Sequence, residues 1–509
     1  MRKKIENRIF KIFLLILLSV ILPLFSSSPF VPLDHWAYKY IDKLAIYGLI
    51  DSQKLGAKPY TYEDVKKWTE MAIEKIQNDE VNVNVGAKDV ENILLRLRRE
   101  FIENEKRYTY GIKGGIEYST QEFEPLNLGN SRGIDLYKKE NFKFSPFIIG
   151  NLNSKISGSL KPLIYYQNSN FKMKMEEIYL NYEWKNLRIS AGRIPVKWGP
   201  GYHGQLLFSD NSFPMYMFMI QNKNSFHYPW IFKKLGPSYI TYFISRLDRN
   251  NRKYPYPFLT GLRFEINPFP YLSIGLNNKT ICAGEGRRSD LEPQNYLRIL
   301  LGRPSDVWSG VGKYKSNGQL SWDFRLNILN LEKYAPFLGE RMQVYGEFGR
   351  EYSPHNPLGV INSFHGYLLG TFIPNIFNIE TLDFRLEYAD TNYNEKVNWY
   401  RHSVYPSYYE GHIIGHHIGN ASSDIYLELS KQLSENWDIS IYFDKEKRNE
   451  LKKFVENRKI YGIRINFLPF DKNIEWNFDV KYVNMNNIKN KSGIDDTFFV
   501  MSANFEFKF

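Results

Sequence analysis

Cysteine is almost missing. Cys282 stands alone in 509 residues, so an intramolecular disulfide cannot form and a cysteine-based metal cluster is excluded. After the first two dozen residues, no uninterrupted apolar run reaches the roughly 18 residues that a membrane-spanning helix requires. The patterns Gly-x-Ser-x-Gly, His-Glu-x-x-His and the glycine-rich phosphate loop are also absent. That removes the usual signatures of α/β-hydrolases, zinc peptidases and P-loop NTPases. Basic residues outnumber acidic ones by 12, yet no motif gathers them for nucleic acid, which is not an expected partner.

Aromatic residues, by contrast, are abundant. They make up 16% of the chain, with 37 Tyr and 36 Phe, while the mean hydropathy is only -0.45. The apolar residues must therefore be dispersed among polar ones, as in alternating strands. The chain opens with basic MRKKIENRIFK, continues with apolar IFLLILLSVILPLF and reaches Ser26-Ser27-Ser28. This order predicts a cleaved secretory leader over residues 1–28, with an uncleaved anchor as the rival, disfavoured by the short run and by Pro23. The leader holds five basic residues against Glu6, a surplus of four, so the mature chain carries about +8. Such a balance suits acidic polysaccharide or lipopolysaccharide phosphates.

Residues 29–106 predict a small periplasmic helical module. Trp36, Tyr40, Ile41, Leu44 and Ala45 recur at helical spacing up to Gly48. Thr61 and Asp64 form a capping-box pair for a second helix with Val65, Trp68, Ala72 and Ile76 as its stripe. A third begins near Ala87, with Val90, Ile93, Leu94, Leu97 and Phe101 on one face and Arg96, Arg98, Arg99 and Lys106 on the other. VPLDHWAYKYIDKLAIYGLI followed by KPYTYEDVKKW resembles an S-layer homology module, and the resemblance implies a contact with peptidoglycan or cell-wall polymer. The alternative is that Trp36, Tyr38 and Trp68 are only core and surface of a helical cap. Polar residues 77–86 are the expected hinge.

From residue 107 to 509 the period changes to two. Alternating segments are expected at 110–118, 155–166, 177–184, 187–193, 239–246, 260–266, 271–276, 320–329, 343–348, 382–389, 424–429, 439–444, 459–467 and 474–483. Turns or loops are expected at Asn267-Pro268, Leu468-Pro469 and 484–490. In the terminal TFFVMSANFEFKF, Phe499, Met501, Ala503, Phe505, Phe507 and Phe509 share one face, and from Phe499 onward only Val500 breaks the polar face opposite. An alternating strand ending in Phe resembles the terminal signal of bacterial outer-membrane barrels, which implies recognition of Phe509 by the barrel-insertion machinery. Apolar residues facing lipid, polar residues facing a lumen and aromatics at both interfaces are what a membrane barrel requires. The expected fold is all-β: a transmembrane antiparallel barrel of about 16–20 strands, 18 favoured, at about 20–25 residues per strand. A soluble all-β protein is the rival.

One stretch breaks the strand pattern. AGRIPVKWGPGYHGQLLFSDNSFP, residues 191–214, starts as a strand and then turns sharply at Trp198-Gly199-Pro200-Gly201. Gly192-Arg193, that turn, the run from Leu206 to Asn211 and Pro214 resemble the mark of the Wzi capsule-assembly family. A second patch, WYRHSVYPSYYEGHIIGHHIGNASSD, resembles the same family through Tyr409-Glu410-Gly411, Ile414 to His416, Ile418-Gly419 and Asp424. The hairpin segment LTGLRFEINPFPYLSIGL resembles it too, so the likeness runs from about residue 110 to 509, with the helical module outside it. The resemblance implies an outer-membrane barrel acting as a surface lectin that holds or helps assemble capsular or other exported polysaccharide.

The residues support that chemistry independently. Sugar rings want aromatic faces, and their hydroxyls or carboxylates want amide, carboxylate and guanidinium groups. The candidate contacts are Arg193, Trp198, Tyr202, Gln205, Asp210, Asn211, Tyr400, Arg401, Tyr408 and Tyr409. The competing role for Trp198, Asp210 and Asn211 is bracing the loop through bonds to backbone. His402, His412, His416 and His417 invite a metal, but 412 and 416 on a strand stand about 13 Å apart. No metal, cofactor or catalytic residue is expected; Asp210 and Glu410 could be imagined as a glycosidase pair, but sequence does not show their separation. The rival functions are a general porin tethered to the wall by the helical module and a glycan-processing barrel enzyme.

Overall fold

The computed structural model describes residues 27–51, 54–78, 80–81, 86–104, 106–250, 252–286, 316–351, 364–393, 399–469 and 473–509. The leader therefore lies outside the described residues apart from Ser27 and Ser28, and the hinge at 77–86 lies partly outside them.

Among the described residues, eighteen antiparallel strands close into one barrel. In chain order they are β1 (Tyr108–Ser119), β2 (Lys139–Asn151), β3 (Ile156–Gln167), β4 (Asn170–Trp184), β5 (Leu187–Ile194) and β6 (Met215–Asn222). There follow β7 (Ser238–Arg246), β8 (Phe258–Phe269), β9 (Leu272–Cys282), β10 (Ser316–Ile328), β11 (Met342–Glu351) and β12 (Gly366–Ile373). The last six are β13 (Leu382–Asp390), β14 (Ser423–Ser434), β15 (Trp437–Arg448), β16 (Glu456–Phe467), β17 (Ile474–Asn486) and β18 (Asp496–Lys508). Each pairs with its neighbours, and β1 joins β18 from Gly111↔Lys508 to Ser119↔Val500, which leaves no free edge. No described helix is long and apolar enough to cross a membrane; a barrel crosses with strands instead.

The expected face assignment of the last strand is the observed one. Phe499, Met501, Phe507 and Phe509 are exposed on the outer wall, while Val500 packs inward against Phe498, Tyr442, Val483 and Met485. Its apparent break in the pattern is therefore an apolar floor beneath a loop. Half-buried aromatic stacks such as Trp322 on Phe348, and Trp476 on exposed Phe478, line the outer wall, as membrane interfaces favour.

Three strands escaped the period-two expectation: β2, β6 and β12. In β6 and β12 the inward face is largely apolar as well as the outward one, whereas β2 turns Asn141, Lys143 and Ser145 inward before Phe147 and Ile149. Met215, Met217 and Met219 of β6 join the core around Trp198, and Leu368 and Phe372 of β12 are buried. Where folded loops fill the lumen, the alternation signal disappears. Asn267-Pro268 is not a turn: β8 runs through it to Phe269 with a register shift after Ile266, the kind of irregularity that tolerates a proline. The turn expected from 484 begins only after β17 ends at Asn486.

Short turns follow β4, β8 and β14 at the end where the chain terminates, and, apart from the tight β3–β4 turn, longer connections lie at the other end. Outer-membrane barrels turn the short-turn end to the periplasm. The helical module sits in that mouth. Helices α1 (Ala37–Ile46), α2 (Tyr62–Gln77) and α3 (Ala87–Arg98) pack around Ile41, Leu44, Val65, Ala72, Ile93 and Leu97. Thr61 caps α2 with the reciprocal Asp64 bond. Lys43, buried in α1, reaches Asp89 at 2.6 Å and Asp383 of β13 at 2.9 Å. Arg325 holds Asp42 at 2.9 Å, Lys508 holds Glu100 at 2.8 Å, and Trp36 Nε1 donates to Glu475. Ser27 and Ser28 are already buried against Ser157 and Glu183 of the wall.

Candidate functional site

The connection between β5 and β6 folds back into the lumen. Its first residues pair with the module: Ala57 and Lys58 form a two-residue ladder with Trp198 and Lys197, and the Gly199 amide donates to the Gly56 carbonyl at 2.9 Å. At the sharp turn Gly199 takes φ 116°. Two buried wall carboxylates then capture the loop's amides. Glu387 of β13 accepts from the N–H groups of Tyr202, His203 and Gly204 at 2.7, 3.0 and 3.2 Å, and from the Tyr345 hydroxyl at 2.9 Å. Glu347 of β11 accepts from the Leu206 N–H at 2.9 Å and the Ser321 hydroxyl at 2.9 Å.

The second family-like patch, between β13 and β14, packs onto this loop. Tyr400 Oη donates to the Leu206 carbonyl at 2.7 Å and accepts from the His416 N–H at 3.1 Å. Ser209 Oγ donates to Gly415 O at 2.6 Å, and Asn211 Nδ2 to Ile413 O at 2.9 Å. The contact is so close that only glycine fits on either side. A Cβ on Gly204 would lie 2.4 Å from the His416 ring, and one on Gly415 would lie 2.2 Å from the Leu206 carbonyl. That mutual approach is the physical reason for Gly204 and Gly415.

The ten candidate contacts separate by position. Trp198, 1% exposed, lies edge-on to Phe208 and Phe243 at 4.9 and 5.2 Å. Gln205, Asn211 and Tyr400 are equally interior, and each donates to a backbone carbonyl of the loops. These four therefore brace the loops. Arg193 stacks over Phe213 and Tyr216 at 4.8 and 4.3 Å, and Tyr409 is buried beside it, its hydroxyl pushed up to about 12 chiefly by that burial. Tyr202 and Asp210 line an interior cavity of about 750 Å³ that reaches Trp36 and Tyr40 of the module. Tyr202 lies under the Arg385 guanidinium at 4.1 Å. Arg401 is exposed and Tyr408 half-buried; in the β7–β8 loop Lys253 is exposed and Tyr254 half-buried. Arg252 ties that loop to the carbonyls of Pro406 and Tyr408.

Glu410 is engaged by Lys174 at 2.7 Å and Arg193 at 3.8 Å, whereas Asp210 faces the cavity with Lys197 at 3.8 Å. His412 pairs with Asp135 at 3.0 Å near the surface. His416 lies deeper, held well below the ordinary histidine range by burial and by neighbouring His417 and His203. Glu347 and Glu387 carry the loop, yet nothing local in the sequence marks them: each is an ordinary inward position of a strand.

Fold and loops together define a plugged outer-membrane-type β-barrel, filled by a helical module at one end and by two interlocked loops toward the other. Residues 109–498 match the family model of capsule assembly protein Wzi, and the chain belongs to that family. A solved structure with the same fold is Wzi of Escherichia coli, described as an outer-membrane protein involved in group 1 capsule assembly and a carbohydrate-binding β-barrel. It has a TM-score of 0.70 at 19% identity over 95% of this chain and 100% of that one. A curated relative from Klebsiella pneumoniae, an uncharacterized 55.8 kDa protein in the cps region, is 28% identical over 189 residues. Those residues are 36% of this chain, which spans about a third (35%) of that relative's length.

Proposed function

We propose that this barrel retains or helps assemble surface polysaccharide by non-covalent, lectin-like contact, without catalysis. The observation that carries it is the filled lumen. The module and the loops meet inside the barrel through the 57–58 and 197–198 ladder, an arrangement that suits a presenting scaffold and not an open conduit. Membership of the Wzi family and the carbohydrate-binding description of the Escherichia coli protein support the same reading. Contact with glycan falls to Arg401 and Tyr408 of the second loop and to Lys253 and Tyr254 of the β7–β8 loop that Arg252 ties to it, which offer guanidinium, ammonium and aromatic groups.

The leader at 1–28 delivers the chain for export, and Phe509 is the residue that the barrel-insertion machinery reads. With Tyr38 and Trp68 spent in the module's own core, the module serves the barrel as a plug better than it serves the wall as an anchor.

The test is polysaccharide retention. A deletion strain should shed exopolysaccharide into the medium, and purified protein should bind the strain's own polysaccharide. Arg401→Ala with Tyr408→Ala should weaken that binding about tenfold, while Trp198→Phe should not. A large, steady conductance of the wild-type protein in planar bilayers would favour the porin and defeat this proposal.

A further inference from the structure

Two buried carboxylates toward the outer end of the lumen have no cationic side chain of their own. Asp424 of β14 and Asp444 of β15 are each 2% exposed. Among the described residues, the ion-pair partners of both are imidazoles alone: His203 and His417 for Asp424, His203 for Asp444. Neighbouring Glu446 differs, since Arg448 and Arg458 face it at 2.5 and 3.8 Å. Two unmatched buried charges side by side are costly unless a proton or a cation is shared between them.

The donor spacing selects the cation. His203 Nε2 lies 3.2 Å from Asp444 Oδ2 and 3.7 Å from Asp424 Oδ2, and His417 Nε2 lies 3.7 Å from the same Asp424 oxygen. One donor atom each of His203, His417 and Asp444 falls within 4.8 Å of the other two. An ion bound tetrahedrally at about 2.0–2.2 Å spaces its ligands about 3.3–3.6 Å apart. His417, itself 2% exposed, has its Nε2 3.2 Å from Glu446 Oε1 as well and its Nδ1 in no hydrogen bond, and the second oxygens of Asp424 and Asp444 are likewise unsatisfied. His203 is held in place by the Tyr426 ring, stacked at 4.2 Å, and by its amide bond to Glu387.

We propose that His203, His417, Asp424 and Asp444 bind one divalent transition-metal ion of the zinc type. Two imidazoles with two carboxylates suit such an ion better than magnesium or calcium. His203 comes from the first family loop, His417 from the second, and the carboxylates from adjacent wall strands, so the ion staples both loops to the barrel. Four protein donors leave no open position, which makes the site structural.

The experiment uses full-length protein in detergent, stripped with chelator, reloaded with Zn²⁺ or Co²⁺ and freed of excess ion. About one ion per chain by mass spectrometry is expected, with the intense visible bands of tetrahedral cobalt. His417→Ala and Asp444→Asn should each weaken binding at least about tenfold, as loss of a site's supporting groups does; His412→Ala should not. No saturable ion, or equal binding in wild type and both variants, overturns the proposal. So does higher thermal stability of Asp444→Asn without ion binding by wild type, the mark of a shared proton. If the variants fail to show heat-shifted gel mobility and so have not folded, the wild-type cobalt spectrum decides, and weak octahedral bands overturn the proposal. The readout needs no polysaccharide, so its failure leaves retention untouched.

Discussion

Gly415 and Gly411 stand four positions apart in one loop and are needed for different reasons. A Cβ on Gly415 would strike the Leu206 carbonyl, which Tyr400 fixes, whereas one on Gly411 meets nothing within 4 Å but must accept φ 90°. Gly411→Ala should therefore cost about 1 kcal/mol, the usual strain of a left-handed residue. Gly415→Ala must push two interlocked loops apart and should cost about 2–3 kcal/mol, as overpacking does. The denaturation midpoints of the two variants check the order; a larger loss at Gly411 would refute the interlock. The capping pair Thr61 and Asp64 was legible in the sequence because its bonds span three residues. The carboxylates Glu347 and Glu387 were not, because their partners arrive from another part of the chain. For the same reason Trp198 looked like a sugar platform until its ring was found inside the core.

The helical module was readable as three helices from periodicity alone, but its seat was not. Lys43 occupies a helix position that the pattern leaves anonymous, and only the barrel supplies Asp383. Lys43→Met would leave Asp89 and Asp383 buried without their cation, a loss of about 3–5 kcal/mol for a broken buried pair. We expect this variant to unseat the module and raise ion conductance in planar bilayers, with the barrel's heat-shifted mobility retained; unchanged conductance would count against the plug. Acid should do the same. Burial would raise the Asp64 carboxyl, but Lys54 and then Arg188 of β5 outweigh it and bring it from 3.8 to about 2. Glu100 is also depressed: burial opposes, yet Lys508 prevails. Both acids have folded values below their unfolded ones, so their contribution is full above about pH 4 and is lost as pH falls toward 2. Conductance should stay low from pH 7 down to about 4 and rise only below it; opening near neutrality would rule out these groups.

Closure of the whole barrel was the most legible feature, since an alternating strand that ends the chain in Phe announces a lipid-facing wall, and the eighteen-strand expectation followed from length. Of the strands that went unseen, β6 and β12 line the filled part of the lumen. Phe509 also bonds at the seam: its amide donates to the Tyr110 carbonyl at 2.9 Å and its ring stacks on Tyr110 at 5.6 Å. Deleting Phe509 therefore removes one ladder bond, about 1 kcal/mol, and an aromatic pair worth about 1 kcal/mol. That sum is small beside eighteen paired strands, so the finished barrel should unfold at nearly the wild-type midpoint. If insertion reads this residue, the deletion should instead cut the rate of assembly several-fold, followed as the heat-shifted fraction after a pulse label. Tyr110→Ala loses the same ring contact and keeps the terminal Phe. It should assemble at the wild-type rate; equal slowing in both variants would trace the effect to the seam and remove any need for recognition.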